Sequence, residues 1–441
     1  MNVGYWIRWS AQHGIPRAFL RWRARRGDAF ATLLAGERGL HDPYPLIEEL
    51  RGPGLRRTPL AYAVFEHAQV RSILRDTRFG VFPALGPEVP APLRKLAERV
   101  VPPPSPVEPP SMLVLNPPEH TRMRKPVASA FTPRAIGRLR DRVETVTAEL
   151  LDAMPAHGSI DLVTDYAAQV PIAIIAEMLG FPPADRELFL RWGDRVTPLL
   201  DIGTSWRSYR DAMAATDTLA DHLAEHIDRL RDEPGDDILS TLVGSGDLTM
   251  RELQAGAGLL MGAGFETTVN LIGNAVAALS AHPDQLAIAQ NDPDRWPDVV
   301  EEVLRFDPPV QTTARVALED VEVDGVRVKA GATLILSLAG ANRDPAVFTD
   351  PARFDIDRPN AKEHLAFSSG IHACLGASLA RMEAVHALRA LYTRYPDLRL
   401  RGEPVRRNLF TLHGFEHMPV DLGPVARSGA PDDLAGATTK G

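Results

Sequence analysis

The 441-residue sequence predicts a mainly α-helical protein with small β-sheets. Two observations carry that expectation. Apolar residues recur at helical spacing near 134–153, 161–179, 208–231, 250–281, 297–305 and 375–394. Strand-like alternation is confined to a few places, chiefly VEVDGVRVKAGATLILS at 321–337. No linker divides the middle of the chain and no internal repeat is visible, so residues 28–425 are expected to form one domain.

Each element has its own grounds, taken in order. Residues 1–27 form a basic, aromatic arm, with Arg8, Arg17, Arg21, Arg23, Arg25 and Arg26, no acid, and Trp6, Trp9 and Trp22. A helix packed on the body is the favoured reading, and contact with a membrane surface or disorder are the lesser alternatives. The stretch RVVPPPSPVEPPS at 99–111 holds too many prolines for helix or strand and is expected to be a loop. Thr249 and Glu252 form a capping box that opens a helix ending before Pro283, about 32 residues and roughly 48 Å long. Asp324-Gly325 is expected to turn a hairpin. After Cys374, Leu379, Met382, Val385, Leu388 and Leu391 recur every three residues and predict another helix. The small, polar tail 426–441 is expected to be disordered.

Composition bounds the function. With 44% hydrophobic and 24% charged residues, the chain has ample core for a globular protein. A net charge of −8 argues against a general nucleic-acid binder. One cysteine cannot close an internal disulfide, and no signal-peptide pattern opens the chain, so a reducing cytoplasm is expected. No run of about 18 apolar residues is present to make a transmembrane helix.

Three stretches carry chemistry. AFSSGIHACLGASLAR at 366–381 contains the sole cysteine, Cys374, between Gly370 and Gly376. The glycines permit a tight turn and close approach by something bulky. A helix N-terminus favours a thiolate, which is either a nucleophile or a soft metal ligand. A nucleophile has only His372 nearby as base, and a structural zinc would need more ligands. Haem needs a single axial thiolate. A cysteine buried as a small hydrophobe is the plain alternative. In the long helix, Gly256, Gly258, Gly262 and Gly264 each cost about 1 kcal/mol against alanine, which a flat ligand on that backbone would offset. Glu266-Thr267-Thr268 suits a proton relay. Its alternative has Thr267 bonded back to the preceding turn and Glu266 facing water. In EEVLRFDPPV at 301–310, Glu302 and Arg305 face each other on one helix, as many weak surface pairs do.

Together these stretches resemble the cytochrome P450 family, over about residues 40–425. Phe367-x-x-Gly370-x-His372-x-Cys374-x-Gly376, followed by Leu379-Ala380-Arg381, is similar to the haem-ligand signature. Ala263-Gly264-Phe265-Glu266-Thr267-Thr268 is similar to the central-helix signature, and Glu302-x-x-Arg305 to the paired-charge motif. ANRDPAVFTDPARFDIDRP (341–359) and NPPEHTRMRKPVASAFTPR (116–134) resemble the soluble bacterial branch. The resemblance implies a triangular, prism-like domain with heme b between the long helix and the cysteine loop. It implies Cys374 as the iron ligand, with Phe367 and Gly376 beside it and Ala263 and Gly264 against the haem face. It also implies His120, Arg124, Arg315 and His372 at the propionates, Glu266 and Thr267 as the proton relay, and Glu302 and Arg305 as a structural brace, with Arg353 or nearby polar groups.

The implied activity is O2-dependent hydroxylation or epoxidation of an apolar small molecule, such as a fatty acid, terpenoid, steroid or macrolide. The electrons would come from a ferredoxin and its NAD(P)H-dependent reductase, docking near Arg122, Lys125 and Lys362. A monomer is expected. The expected pocket lining is the loop 81–112 with Leu260, Ala263, Phe265, Val310, Thr312, Thr313, Phe410 and Leu412. A peroxide-driven enzyme on the same scaffold, a non-catalytic haem sensor and a haem-free cysteine nucleophile are the alternatives. The Glu266–Thr267 pair argues for delivered protons over peroxide.

Overall fold

The computed structural model describes residues 3–81 and 102–425, together with Pro92 and Lys95. The expected tail and most of the expected pocket loop 81–112 lie outside the described residues.

The centre of the fold is the helix Met250–Ala281, whose 32 residues begin at the expected capping box. The Thr249 N–H donates to the Glu252 carboxylate at 2.9 Å, and Thr249 Oγ1 accepts from the Glu252 N–H. Leu253, Met261, Val269, Ile272, Val276 and Leu279 are buried on successive faces, so this is a core helix rather than an amphipathic surface one. It packs against the helices Gln169–Met178, Trp206–Asp232, Trp296–Phe306 and Ala377–Arg394. Each aliphatic side chain buried there contributes about 1.5–3 kcal/mol.

Two helical expectations divide. The segment 134–153 is two helices, Pro133–Arg138 and Arg140–Ala153, separated at Leu139; Gly137 lowers the cost of that break. The segment 161–179 opens with a π-turn, Val163–Ala167, before Gln169–Met178.

The main sheet has five strands in the order Arg56–Arg57, Tyr62–Val64, Thr333–Ser337, Thr312–Ala317, Phe79–Gly80. Tyr62–Val64 and Thr333–Ser337 run parallel and the other pairs antiparallel. Val321–Val323 and Val326–Val328 make the expected hairpin, with φ of 46° at Asp324 and 77° at Gly325 as its tight turn requires. A second hairpin pairs Val405–Arg406 with Phe415–His417. Its tip reaches across the molecule: the Phe410 and Thr411 N–H groups donate to the Asp201 carboxylate at 2.8 and 2.7 Å.

Residues 3–24 run as one helix with a π-turn at Ser10–Gly14. Trp9 donates its indole N–H to the Thr204 carbonyl at 2.9 Å and lies 5.4 Å from the Trp206 ring. Arg17 donates to the Gly203 carbonyl at 2.5 Å, Arg8 pairs with Glu108 at 2.5 Å, and Leu20 is buried. Among the described residues, no helix is long and apolar enough to cross a membrane.

Candidate active site

The cysteine loop is shaped by backbone constraints. Gly370 has φ +75°, and a Cβ there would sit 2.3 Å from the Leu74 carbonyl oxygen, so only glycine fits. The Cys374 N–H donates to the Phe367 carbonyl at 3.0 Å and closes the loop. The following helix starts at Ala377, with Gly376 as its N-cap. Burial pushes the Cys374 thiol up, while the Gly376 N–H, Arg124 and Arg381 pull it down. Cys374 as a residue remains exposed, and beside it a Cβ on Gly376 would meet nothing within 4 Å.

Three elements bring nitrogen donors to this cleft. His120, on the helix Glu119–Ala130, is buried with its ring 4.2 Å from that of His372. The Nε2 atoms of both rings are buried without a partner. Arg124, one turn after His120, donates to the Ala373 carbonyl. Arg315, buried on its strand, donates among the described residues only to Thr313 Oγ1 at 3.2 Å and the Ala314 carbonyl at 2.8 Å. Burial lowers Arg315 to about 10. Burial, then the charges of His120, Arg315 and Arg124, lower His372 to about 3. Among the described residues no carboxylate pairs with Arg124 or Arg315, and no cluster of three His, Cys or acidic residues could hold a metal by itself. Buried cations without a counter-charge are costly. A ligand with two carboxylates and a metal needing one sulfur from the protein fits this donor set, so the residues suit haem.

The long helix presents Ala263 to open space although Leu260, Met261, Phe265 and Glu266 around it are buried. Thr267, one turn on, donates its hydroxyl to the Ala263 carbonyl at 2.9 Å, the back-bonded arrangement. Glu266 does not face water: it is fully buried, and its Oε1 lies 3.1 Å from Arg407 Nε, off line for a hydrogen bond. Arg407 also lies 3.2 Å from the exposed carboxylate of Asp194. Burial pushes the Glu266 carboxyl up, Arg407 opposes this, and Asp194 adds to it. The helix glycines are not all ligand space. A Cβ on Gly264 would press on Ile175 of the neighbouring helix at 3.2 Å, whereas at Gly262 it would meet nothing.

The expected pocket lining divides. Leu260 shares the Ala263 side of the helix by spacing. Phe265 is turned the other way, because a Cβ on Gly193 would collide with its ring at 2.1 Å; it packs on the helix Arg186–Val196. Phe265 and Phe410 instead line a cavity of about 640 Å3 with Arg17, Asp194 and Arg407. Strand alternation puts Thr313 with Arg315, while Thr312 lines a small cavity with Gln311, Ser337 and Phe410. Val310 and Leu412 pair as a bridge.

Glu302 and Arg305 are no surface pair: they meet at 2.7 Å with no exposed surface on either side chain. Arg305 also donates to the carbonyls of Asn342, Pro351 and Arg353. Glu302 accepts from the Asp355 N–H at 2.9 Å and from Arg358 at 3.2 Å. The third side chain of the brace is therefore Arg358, and Arg353 supplies only a carbonyl. Sequence reasoning missed several groups here. Glu301 binds His364 at 3.2 Å and Arg381, whose guanidinium lies 4.5 Å over the Phe367 ring. Glu383 is fully buried, and burial pushes it up to about 8. Arg122, expected in the docking patch, is paired with Glu252, whereas Lys125 and Lys362 are exposed. Arg381 stood in the quoted motif and was a usable signal; Arg407 had none.

A family model, Cytochrome P450, matches residues 297–396. A protein of Mycobacterium tuberculosis (strain ATCC 25618 / H37Rv), described as "Putative cytochrome P450 140", is 45% identical over 432 residues, 96% of this chain and 98% of its own. The 6-deoxyerythronolide B hydroxylase of Saccharopolyspora erythraea is 41% identical over 315 residues, 70% of this chain and 76% of its own. The crystal structure of P450BioI with hexadec-9Z-enoic acid ligated acyl carrier protein matches with a TM-score of 0.81 at 34% identity, over 88% of this chain and 100% of that one.

Proposed function

The chain belongs to the cytochrome P450 family and is a haem monooxygenase of small molecules; from that premise we propose that Cys374 supplies the sulfur that holds the haem iron and that the substrate is apolar. The observation that carries the reading is a cleft where Cys374 meets His120, Arg124, Arg315 and His372 without an acid among them. Cys374 would hold the iron, and the two arginines and two histidines would hold the propionates. Phe367 would pack beside the sulfur, and Ala263 would leave room across the cleft, whereas Gly264 serves the close approach of Ile175 on the neighbouring helix. Bound there, the haem supplies reductive activation of O2 and transfer of one oxygen atom to substrate.

The chain's own residues manage protons and position. Thr267 carries a hydroxyl proton now given to the Ala263 carbonyl, and rotation of its side chain offers that proton to the cleft. Glu266 reloads it from the side of Arg407 and Asp194. Glu302, Arg305 and Arg358 hold the cysteine side rigid. Two electrons come from outside, from a ferredoxin and its NAD(P)H-dependent reductase in the cytoplasm, with exposed Lys125 and Lys362 meeting an acidic partner face. The enzyme works as a monomer on a fatty acid, terpenoid, steroid or macrolide. The named ligands of relatives, 6-deoxyerythronolide B and hexadec-9Z-enoic acid, support that substrate class.

The test is the absorption spectrum of reduced protein under carbon monoxide, recorded for the wild type and for Cys374→Ser. The thiolate-type band should be present in the first and absent from the second. An unchanged band in the serine variant would exclude Cys374 as ligand. Turnover with ferredoxin, reductase and NADPH, compared with turnover on peroxide, then separates the monooxygenase from the peroxide-driven reading.

A further inference from the structure

Among the described residues, one face of the N-terminal helix is left uncovered. Ile15, Phe19 and Trp22 recur along it at helical spacing, and Arg26 follows in the turn after the helix. Ile15 is 58% exposed and Trp22 46%. The Phe19 ring lies 6.0 Å from Trp22, and the Arg26 guanidinium lies 4.1 Å over the indole. Trp6, before the π-turn of the same helix, is 52% exposed.

The arginines of the helix divide into two sets. Arg8, Arg17 and Arg23 are engaged with Glu108, the Gly203 carbonyl and Asp28. Arg21, Arg25 and Arg26 are exposed and have no acidic partner among the described residues. The opposite face carries Leu20, 2% exposed, and fixes the helix to the body. The adjoining loop that accepts from Arg17 exposes Leu200 and Ile202, each 37%.

We propose that this face seats the protein on an anionic phospholipid surface. Tryptophan and isoleucine enter the interfacial zone, where an indole suits both the acyl boundary and the headgroups. Arg21, Arg25 and Arg26 meet the lipid phosphates, their apolar stems lying alongside the inserted rings. The chain as a whole carries a net charge of −8, so attraction to an anionic surface must come from a local basic face such as this one rather than from overall charge. The face is a convex helix ridge, which matches a plane of lipid. A second copy or a protein partner would have to offer both a groove for the rings and acids for three guanidinium groups. A nucleic acid would match the arginines and leave Ile15 and Trp22 without apolar contact.

The experiment is flotation of the full-length haem protein with vesicles of phosphatidylcholine, and of phosphatidylcholine containing phosphatidylglycerol. Two variants accompany it: Ile15→Ser with Trp22→Ser, and Arg21→Gln with Arg25→Gln and Arg26→Gln. Unchanged haem absorption certifies that both are folded. The wild type should float with the anionic vesicles and bind phosphatidylcholine alone roughly tenfold less, and each variant should lose at least that much. The proposal is overturned if the wild type stays in solution, or if either variant floats as well as the wild type. It is also overturned if sedimentation without lipid shows a dimer that the serine variant abolishes, because a second copy then covers the face.

Discussion

The Arg407 guanidinium lies 3.1 Å from the Glu266 carboxylate and 3.2 Å from that of Asp194, so one cation links a fully buried acid to an exposed one. Burial raises Glu266, and Arg407, with a smaller contribution from Asn270, restrains the rise. In Arg407→Leu the buried carboxyl should hold its proton to higher pH. A relay that must ionise before it reloads then loses activity from the acid side, and the acid limb of the rate profile moves up. Glu266→Gln should lower coupled turnover about a hundredfold while leaving haem absorption intact. The measurement is product formed per NAD(P)H across pH. An acid limb that stays in place in Arg407→Leu separates Arg407 from the relay.

Arg315 gives a prediction with two signs. It is a buried cation whose partners among the described residues are all neutral. Arg315→Met should therefore raise the melting temperature of haem-free protein while weakening haem retention by roughly ten- to a hundredfold. Thermal melts of the apo form and haem transfer to apomyoglobin report the two effects separately. A variant that melts lower without haem, or keeps haem as tightly, contradicts the assignment of Arg315 to a ligand carboxylate.

The brace should respond asymmetrically. Glu302→Ala leaves Arg305 buried with three carbonyls and no anion, and should cost about 3–5 kcal/mol. Arg358→Ala should cost clearly less, because Glu302 keeps Arg305 at 2.7 Å. Denaturant unfolding of both variants measures the difference, and equal losses would show that Arg358 carries as much of the brace as Arg305.

Glu301 supplies an acid-sensitive contribution. Burial pushes its carboxyl up, but hydrogen bonds from His364 and Arg381 outweigh that and bring it to about 2, from an ordinary 4.5. A carboxyl depressed on folding stabilises the fold fully above its unfolded value. That contribution fades as pH falls from 4.5 towards 2. Glu301→Gln should be less stable than the wild type at neutral pH, with the gap closing through that window. Urea midpoints against pH check it, and parallel curves would remove Glu301 from the acid response.

What could be read in the sequence was local. Thr249, Glu252 and Pro283 mark both ends of the long helix because capping and proline act within one turn. Asp324-Gly325 marks its hairpin because positive φ is a property of the two residues themselves. The cysteine loop was legible because its determinants lie within a few residues of Cys374. The rest depended on partners far along the chain. Glu302 and Arg305 have the same spacing on a surface as in a core; what buries them is the segment from Asn342 to Arg358. Phe265 shares a short motif with Ala263, yet Gly193 on another helix opens the space that its ring fills. Arg407 reaches Glu266 only because the hairpin folds back over the long helix.

The stretch Asp201–Ser205 ties both ends of the chain together. Its first residue accepts the amides of Phe410 and Thr411, and its Gly203 and Thr204 carbonyls accept from Arg17 and Trp9. The hairpin tip can leave only by giving up its amide bonds to Asp201, or by drawing Asp201–Ser205, and with it the N-terminal helix, along. Displacing it is therefore a breaking of backbone hydrogen bonds, a local unfolding rather than the turning of one side chain.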